Sequence, residues 1–211
     1  MKQDWKPGTM IYPLPAILVS CGSSEEEYNI ITVAWTGTIC TNPPMCYISV
    51  RPERYSHHII AEKREFVINL TTSALVRAAD FCGVRSGEKL NKFEACSLHK
   101  EEAAEVNCPL IAESPLSIEC RVTDIVSLGT HDMFIADIVA VDVDEELIDE
   151  EGKLHLDKAG LAAYSHGEYF SLGKKIGSFG FSVKKKRKKK HSRKNKKDSD
   201  YYVIDKFSLS G

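Results

Sequence analysis

The sequence predicts a mainly β protein with a few α-helices, closed or nearly closed into an antiparallel β-barrel. Two helical segments carry start and stop signals: 56–63 begins at Ser56, and 73–83 ends at a glycine. Apolar and β-branched residues concentrate instead in six strand-like segments, which are 15–21, 29–36, 45–50, 65–70, 116–127 and 131–143. Many strands with few helices favour a barrel over a layered α/β fold.

The two longest predicted strands, 116–127 and 131–143, form a hairpin around Leu-Gly-Thr. Gly129 suits a turn position with positive φ. Both faces of the second strand are apolar, with Met133, Ile135, Val139 and Val141 on one face and Phe134, Ala136, Ile138 and Ala140 on the other. Such a strand needs a cover on each face. A dimer partner and a packed helix are both candidates for the second cover.

Composition places the chain among ordinary globular proteins. Its 211 residues are 43% hydrophobic and 27% charged, which suffices for one domain with a sizeable core. No apolar run approaches the roughly 20 residues of a membrane span, and the first ten residues lack the features of a targeting peptide. Seven cysteines without a Cys-x-x-Cys pair indicate reduced thiols. We therefore expect a cytoplasmic protein without a membrane partner.

Charge divides the chain into two parts. Residues 184–197 hold eleven Lys and Arg and no acid, whereas residues 1–183 hold 16 basic and 27 acidic residues. A block of like charge repels itself and has no apolar face, so 184–211 is predicted to be a flexible polybasic C-terminal tail. Polybasic runs can contact phosphates. Without interleaved aromatics or a reading motif, the sequence does not favour a nucleic-acid partner.

The sequence lacks the common catalytic motifs. It contains no G-x-S-x-G, no G-x-x-x-x-G-K-[ST] and no H-E-x-x-H. His57 and His58 are adjacent, so on a helix they point about 100° apart and cannot form an i, i+4 metal pair. We expect no metal site.

One strand end does carry candidate anion-binding groups. Segment 45–50 runs into Arg51 and Arg54, and Ser56 follows at a predicted helix start. A helix N-terminus beside an arginine is suited to a phosphate monoester. The same pattern is also compatible with a solvated arginine and a capping serine.

The ordered set of segments resembles the flavin reductase-like family. The resemblance is carried by "PLPAILVSC", "NIITVAWTGTICTNPPMCYISVRPERYSHHII", "EFVINL", "DFCGVRSGEKLNKF", "SPLSIECRVTDIVSLGTHDMFIADIVAV" and "YFSLGKKIGSFGFS". It extends to about residue 182 and implies an FMN-binding split β-barrel domain over 1–183. Within that family the chain looks most like the flavoredoxins, which are small FMN-binding electron-transfer proteins.

The resemblance also implies a set of cofactor-binding residues. Asn29 would hydrogen-bond near the flavin ring or ribityl chain, Trp35 would pack near the ring, and the backbone around Ala34 and Thr36 would meet its polar edge. The complete expected set is Asn29, Thr32, Ala34, Trp35, Thr36, Ser49, Arg51, Ser56, Lys92, His131 and Tyr164. Ser49, Arg51 and Ser56 match the stretch expected around the phosphate and ribityl chain. The family's usual aspartate before the lysine is Asn91 here.

Each of these residues also has a purely structural interpretation. Trp35 could anchor the core or a dimer interface, and Thr32 and Thr36 could be ordinary strand residues. Lys92 and His131 could be solvated. Tyr164 could pack in the core.

Three functions remain open from sequence. The first is an FMN-dependent oxidoreductase that takes a hydride from NADH or NADPH at flavin N5. The second is a flavoredoxin-type FMN electron carrier that exchanges electrons with a redox partner protein without using NAD(P)H. The third is a barrel-shaped binding module whose tail holds nucleic acid. We expect a homodimer, because the strand at 133–141 is apolar on both faces and a flavin at a barrel rim benefits from cover by a second subunit.

Overall fold

The computed structural model describes residues 1–183, and the tail predicted over 184–211 lies outside them. The described strands are β1 (Ile17–Cys21), β2 (Asn29–Val33), β3 (Thr36–Thr41), β4 (Pro44–Val50), β5 (Glu65–Asn69), β6 (Lys100–Glu101), β7 (Leu110–Ile111), β8 (Leu116–Ser127), β9 (Asp132–Val143), β10 (Ala162–Ser165) and β11 (Glu168–Ser171). The helices are α1 (Tyr55–Lys63), α2 (Val76–Val84) and α3 (Lys92–Cys96). Residues 1–173 form one compact unit, and 174–183 belong to a second, with a 3₁₀ turn at Phe181–Val183.

The main unit is built on a seven-stranded antiparallel sheet in the order β2-β1-β5-β8-β9-β4-β3. The predicted hairpin is confirmed as β8 and β9, with Gly129 at φ +93° in its turn. Register shifts between Glu119 and Cys120 and between Val122 and Asp124 interrupt the hairpin ladder. Bulges of this kind bend and twist a strand pair, which suits the curvature of a barrel.

The predicted strand 29–36 is wrong as a single element. β2 ends at Val33 and β3 begins at Thr36, and the two lie at opposite edges of the sheet order. β2 pairs with β1, whereas β3 pairs with β4. Ala34 and Trp35 therefore carry the chain from one sheet edge to the other, at the place where the barrel is split.

The core explains the apolar pattern of the hairpin. Phe134 and Ala136 are fully buried among side chains that include Ile48 and Phe66. On the other face, Val139 packs against a small cluster of Val67, Val106, Cys108 and Leu110, whose last three members come from the segment before β8. The second cover at Val139 is thus a loop with a short strand and not a helix. Val141 remains 52% exposed.

Among residues 1–183, none of the helices has the length and apolar character needed to cross a membrane.

Candidate functional site

Trp35 lies at the break between β2 and β3, beside the start of the hairpin strand β9. Its ring faces His131, with centroids 4.5 Å apart and planes inclined by 35°. The Trp35 carbonyl accepts a hydrogen bond from the Ser49 backbone amide at 2.9 Å, which ties the break to β4. The side chain is 37% exposed, so Trp35 is not an anchor of the core within one chain.

The break forms one wall of a cavity of about 170 Å³, here named the Trp35 cavity. Residues 31–35 line one side, and Ala34 is the small residue among them. The opposite side is formed by side chains from the end of β4 and the loops beyond it, namely Ser49, Val50, Arg51, Arg54 and His131. The cavity therefore combines aromatic planes with two guanidinium groups.

A second cavity of about 90 Å³, the Lys92 cavity, shares Ile31 and Arg54 with the first. Its lining includes Asn29, Ser56, Cys82, Gly87 and Lys92. Because two residues line both spaces, the cavities adjoin, and together they are named the recess. Asn29, Ser56 and Lys92 line the Lys92 cavity alone, whereas Trp35, His131 and Arg51 line the Trp35 cavity. Arg54 borders both cavities.

The polar end is held by a buried hydrogen bond between Asn29 and Ser56. Asn29 begins β2, and its Nδ2 donates to Ser56 Oγ at 2.7 Å. The backbone of Gly87 approaches the amide so closely that a Cβ built there would lie 2.0 Å from Asn29 Oδ1. Position 87 thus requires glycine for Asn29 to keep this position.

Lys92 is fixed at the start of α3. Asn91 is the N-cap, with its Oδ1 accepting from the amides of Phe93 and Glu94. The buried Lys92 ammonium donates to the carbonyls of Ile30 at 2.6 Å and Cys82 at 2.8 Å. Burial lowers the Lys92 pKa below its ordinary value. With two of three N–H donors used, one remains for a further acceptor.

Helix α1 points its N-terminus towards the same recess. Its N-cap residue is Arg54, which makes no side-chain capping bond. Ser56 lies inside the first turn, and its hydroxyl accepts a hydrogen bond from Asn29. Ser56 is therefore not the capping residue of this helix. Arg54 Nη1 donates to the Gly83 carbonyl at 3.2 Å, while Glu53 also borders the Lys92 cavity. The free amides of the first turn of α1 and the guanidinium groups of Arg51 and Arg54 favour binding of an anion, although the Glu53 carboxylate lies nearby.

Nine of the eleven predicted site residues line this recess: Asn29, Thr32, Ala34, Trp35, Ser49, Arg51, Ser56, Lys92 and His131. Thr32 contributes little polarity, because its hydroxyl donates to the Ala79 carbonyl. Thr36 does not line either cavity, and its hydroxyl donates to the Tyr47 carbonyl at 2.6 Å. Tyr164 lies on β10 with its ring against Tyr169, at a centroid distance of 5.3 Å, and also lies outside the lining.

Comparison with known proteins identifies the fold. Residues 9–173 match the model of the flavin reductase like domain. The chain belongs to the flavin reductase-like family. The family fold is the split barrel that the sequence predicted, and the described chain is a mainly β member with three short helices.

Two solved members of the family are flavoredoxins. The flavoredoxin of Desulfovibrio vulgaris (Miyazaki F) is 30% identical with a TM-score of 0.80, covering 87% of this chain and 100% of that chain. The flavoredoxin of Methanosarcina acetivorans is 27% identical with a TM-score of 0.77 and the same coverages. A further family relative, FMN reductase (NADH) of Enterobacter cloacae, is 23% identical over 104 residues, which span 49% of this chain and 61% of that protein.

Three residues of the recess, which lie in the loop after α2, were not predicted from the sequence. Arg85, Ser86 and Gly87 all border the Lys92 cavity. In the sequence they form part of the short polar run "RSGEK" after a predicted helix, which has the composition of an ordinary loop. Only the contact between Gly87 and Asn29 in the structure shows its place in the site. Cys82 borders the same cavity from the last turns of α2.

An apolar cavity of about 460 Å³ lies on the other side of Trp35. The N-terminal segment lines it with Gly8, Thr9, Met10, Ile11 and Leu14, and the barrel with Tyr47, Leu128 and Met133. Trp35 and Ser49 border both this space and the Trp35 cavity. Trp35 therefore borders both a polar, cationic cavity and an apolar one.

Proposed function

We propose that the chain binds FMN in the joined Trp35 and Lys92 cavities and acts as a flavin oxidoreductase. One observation carries the proposal: a cavity with an aromatic pair and two arginines at a strand break adjoins a second cavity at a helix N-terminus, which Asn29, Ser56 and Lys92 line. FMN has matching parts, namely a phosphate monoester, a polyhydroxylated chain and a planar ring.

The donor set fits the phosphate end of FMN. Arg51, Arg54 and the first turn of α1 supply positive charge and N–H donors of the kind that bind phosphate monoesters. Asn29 and Ser56 are hydrogen-bonded to each other, so both side chains are held in position before a ligand binds. The third N–H of the Lys92 ammonium and the side-chain Oδ1 of Asn29 are available to the ribityl chain or the ring edge.

The other end of the recess suits a flat aromatic ring. Trp35 and His131 present two aromatic rings whose planes are inclined by 35°, and Val33 and Ala34 line the same cavity, where their backbone groups would meet ring heteroatoms. Bound FMN supplies two-electron redox chemistry by accepting a hydride at N5, while the protein supplies position and electrostatics. Trp35 and His131 would exclude water from one side, and Lys92 would add positive charge near the cofactor.

NADH or NADPH is the proposed hydride donor. Support comes from the similarity to FMN reductase (NADH) of Enterobacter cloacae, and from the apolar cavity beside Trp35, where a nicotinamide ring has room. The second candidate is a flavoredoxin-type electron carrier that receives electrons from a redox partner protein. Its support is the greater identity, 30%, to the flavoredoxin of Desulfovibrio vulgaris.

A homodimer belongs to the same proposal. The N-terminal segment exposes Trp5 and Ile11 at 80% and 84%, and edge strand β3 exposes Ile39 at 50%. Large exposed apolar side chains of this kind suit cover by a second subunit.

The test is an anaerobic titration of the FMN-loaded protein with NADH and, separately, with NADPH. Loss of flavin absorbance with either nicotinamide supports the reductase. A yellow protein that stays oxidised with both, but bleaches with dithionite, supports the electron carrier. A protein that remains colourless after incubation with FMN contradicts both.

A further inference from the structure

Two pairs of cysteine side chains lie in contact within the described chain. Cys82 of α2 and Cys96 of α3 have their Sγ atoms 3.9 Å apart. Cys46 of β4 and Cys120 of β8 have theirs 3.5 Å apart. Distance alone would favour the second pair for any thiol chemistry.

Accessibility reverses that order. Cys46 and Cys120 are 4% and 0% exposed inside the main core, where no reagent can reach them without unfolding. Cys96 is partly exposed at the end of α3. Cys82 is 1% exposed but borders the Lys92 cavity. The Cys82–Cys96 pair thus has one outward thiol and one inward thiol behind it.

We propose that Cys82 and Cys96 are a redox-active dithiol, which closes to an intramolecular disulfide on reaction with a small disulfide such as glutathione disulfide. The proposal concerns these two thiols alone and does not depend on flavin binding.

The exchange proceeds in two steps that balance. The Cys96 thiolate, formed by loss of its proton to solvent, attacks one sulfur of glutathione disulfide; a Cys96–glutathione bond forms and one glutathione thiolate leaves. Cys82 then loses its proton and attacks Cys96 Sγ; the Cys82–Cys96 bond forms and the second glutathione thiolate leaves. The two thiolates released take up the two protons. The dithiol is oxidised by two electrons, and glutathione disulfide is reduced to two molecules of glutathione.

The environment assigns the two roles. Burial raises the pKa of Cys82 to about 12, so it stays protonated and cannot be the first nucleophile. The nearby Lys92 ammonium lowers the energy of a Cys82 thiolate and so assists the second step. Closing the bond brings the sulfurs from 3.9 Å to about 2.05 Å, a short movement for two side chains on adjacent helices.

The disulfide would tie together the two helices that hold Lys92. Lys92 begins α3, and its ammonium is bonded to the Cys82 carbonyl of α2. A covalent link between residues 82 and 96 therefore fixes this wall of the Lys92 cavity. Oxidation at the pair is thereby coupled to the geometry of that cavity.

The experiment incubates the full chain with glutathione disulfide, blocks remaining thiols under denaturing conditions and maps cysteine peptides by mass spectrometry. In the wild-type chain we expect linked peptides containing Cys82 and Cys96, without a stable glutathione adduct on either. Partly exposed Cys40, which has no cysteine within contact among the described residues, is the internal reference and should retain a glutathione adduct.

Two variants separate the steps. Cys82→Ser should trap glutathione on Cys96, and Cys96→Ser should leave Cys82 reduced because no mixed disulfide forms at position 96 for Cys82 to attack. The second variant changes the more exposed residue, so it tests the order even if Cys82→Ser folds poorly. A lasting adduct on wild-type Cys96, a Cys46–Cys120 link in place of the expected one, or free Cys82 and Cys96 after incubation would each overturn the proposal.

Discussion

Trp35 and His131 are in contact across the split of the barrel, with ring centroids 4.5 Å apart and planes inclined by 35°. The two residues come from distant parts of the chain, one from the β2–β3 break and the other from the β8–β9 turn. Burial and the positive charge of Arg51 lower the pKa of His131, against a smaller opposing effect of Glu53. The imidazole is therefore neutral near pH 7 and can pack closely on the indole.

The first prediction concerns that histidine. Its NMR titration should give a midpoint below the ordinary value of 6.5, and Arg51→Ala should move the midpoint upward. Since the folded chain binds fewer protons than the unfolded chain, this group's contribution to stability is present above pH 6.5 and is lost as the pH falls through the folded-state pKa. Arg77→Ala, an exposed change on α2, is the control. A midpoint at or above 6.5 in the wild-type chain contradicts the interpretation.

The second prediction concerns Lys92 and the redox potential of bound FMN. Reduced FMN can carry a negative ring charge, which a nearby ammonium stabilises selectively. An ion pair at about 4 Å is worth ~4 kcal/mol at an effective dielectric near 20, and delocalisation over the ring reduces this to roughly 1–2 kcal/mol. For two electrons ~1.4 kcal/mol is about 30 mV, so Lys92→Met should lower the midpoint potential by some tens of millivolts.

Lys89→Met is the matched control, because Lys89 is an exposed residue of the preceding loop. The structure adds a stability effect: Lys92→Met leaves two buried carbonyls without their donor, which costs about 1–3 kcal/mol of unfolding free energy. Potentiometric and denaturant titrations measure the two effects separately. An unchanged or raised potential in a folded Lys92→Met protein would mean that its ammonium is not close to the ring.

The third prediction is a homodimer. Sedimentation of the FMN-loaded protein at micromolar concentration should give twice the mass of one chain, with an interface above roughly 1,000 Å². Because a loop already covers Val139, the apolar surface left for a partner is that of the exposed N-terminal segment and Ile39. A single-chain mass with FMN still bound would exclude it.

The fourth prediction is that the chain truncated after Val183 keeps the FMN occupancy of the full chain. Every residue of the proposed recess lies between 29 and 131, within the part matched by the family model. Flavin content per chain, measured by absorbance, checks it. A colourless truncated protein would assign a binding role to the removed segment.

Much of the fold follows from local sequence patterns. Alternation and β-branched content located most strands, and Gly129 located the hairpin turn. The break at Ala34–Trp35 was not predictable from these patterns, because residues on both sides are strand-like and only long-range pairing shows that the chain changes partners. Helix α3, with five residues, is too short for a periodic signal.

For the site, too, the residues could be predicted from the sequence, whereas their hydrogen-bond partners could not. The resemblance named nine residues that line the recess, but it gave no information about which polar groups are already satisfied. The hydroxyls of Thr32 and Thr36 donate hydrogen bonds to the backbone carbonyls of residues 79 and 47, and these contacts depend on tertiary packing. Gly87 gains its importance only because the Asn29 amide lies against it.

The most direct test of the FMN proposal compares FMN with riboflavin, which lacks the phosphate, by calorimetric titration. The wild-type chain should bind FMN at least about tenfold more tightly, since a charge-assisted hydrogen bond contributes roughly 1.5–3 kcal/mol. Arg51→Ala should weaken FMN binding by a similar factor and leave riboflavin binding unchanged, while Arg77→Ala should change neither. Equal affinity of the wild-type chain for FMN and riboflavin, or an equal loss for both ligands in Arg51→Ala, would contradict a phosphate site at this end of the recess.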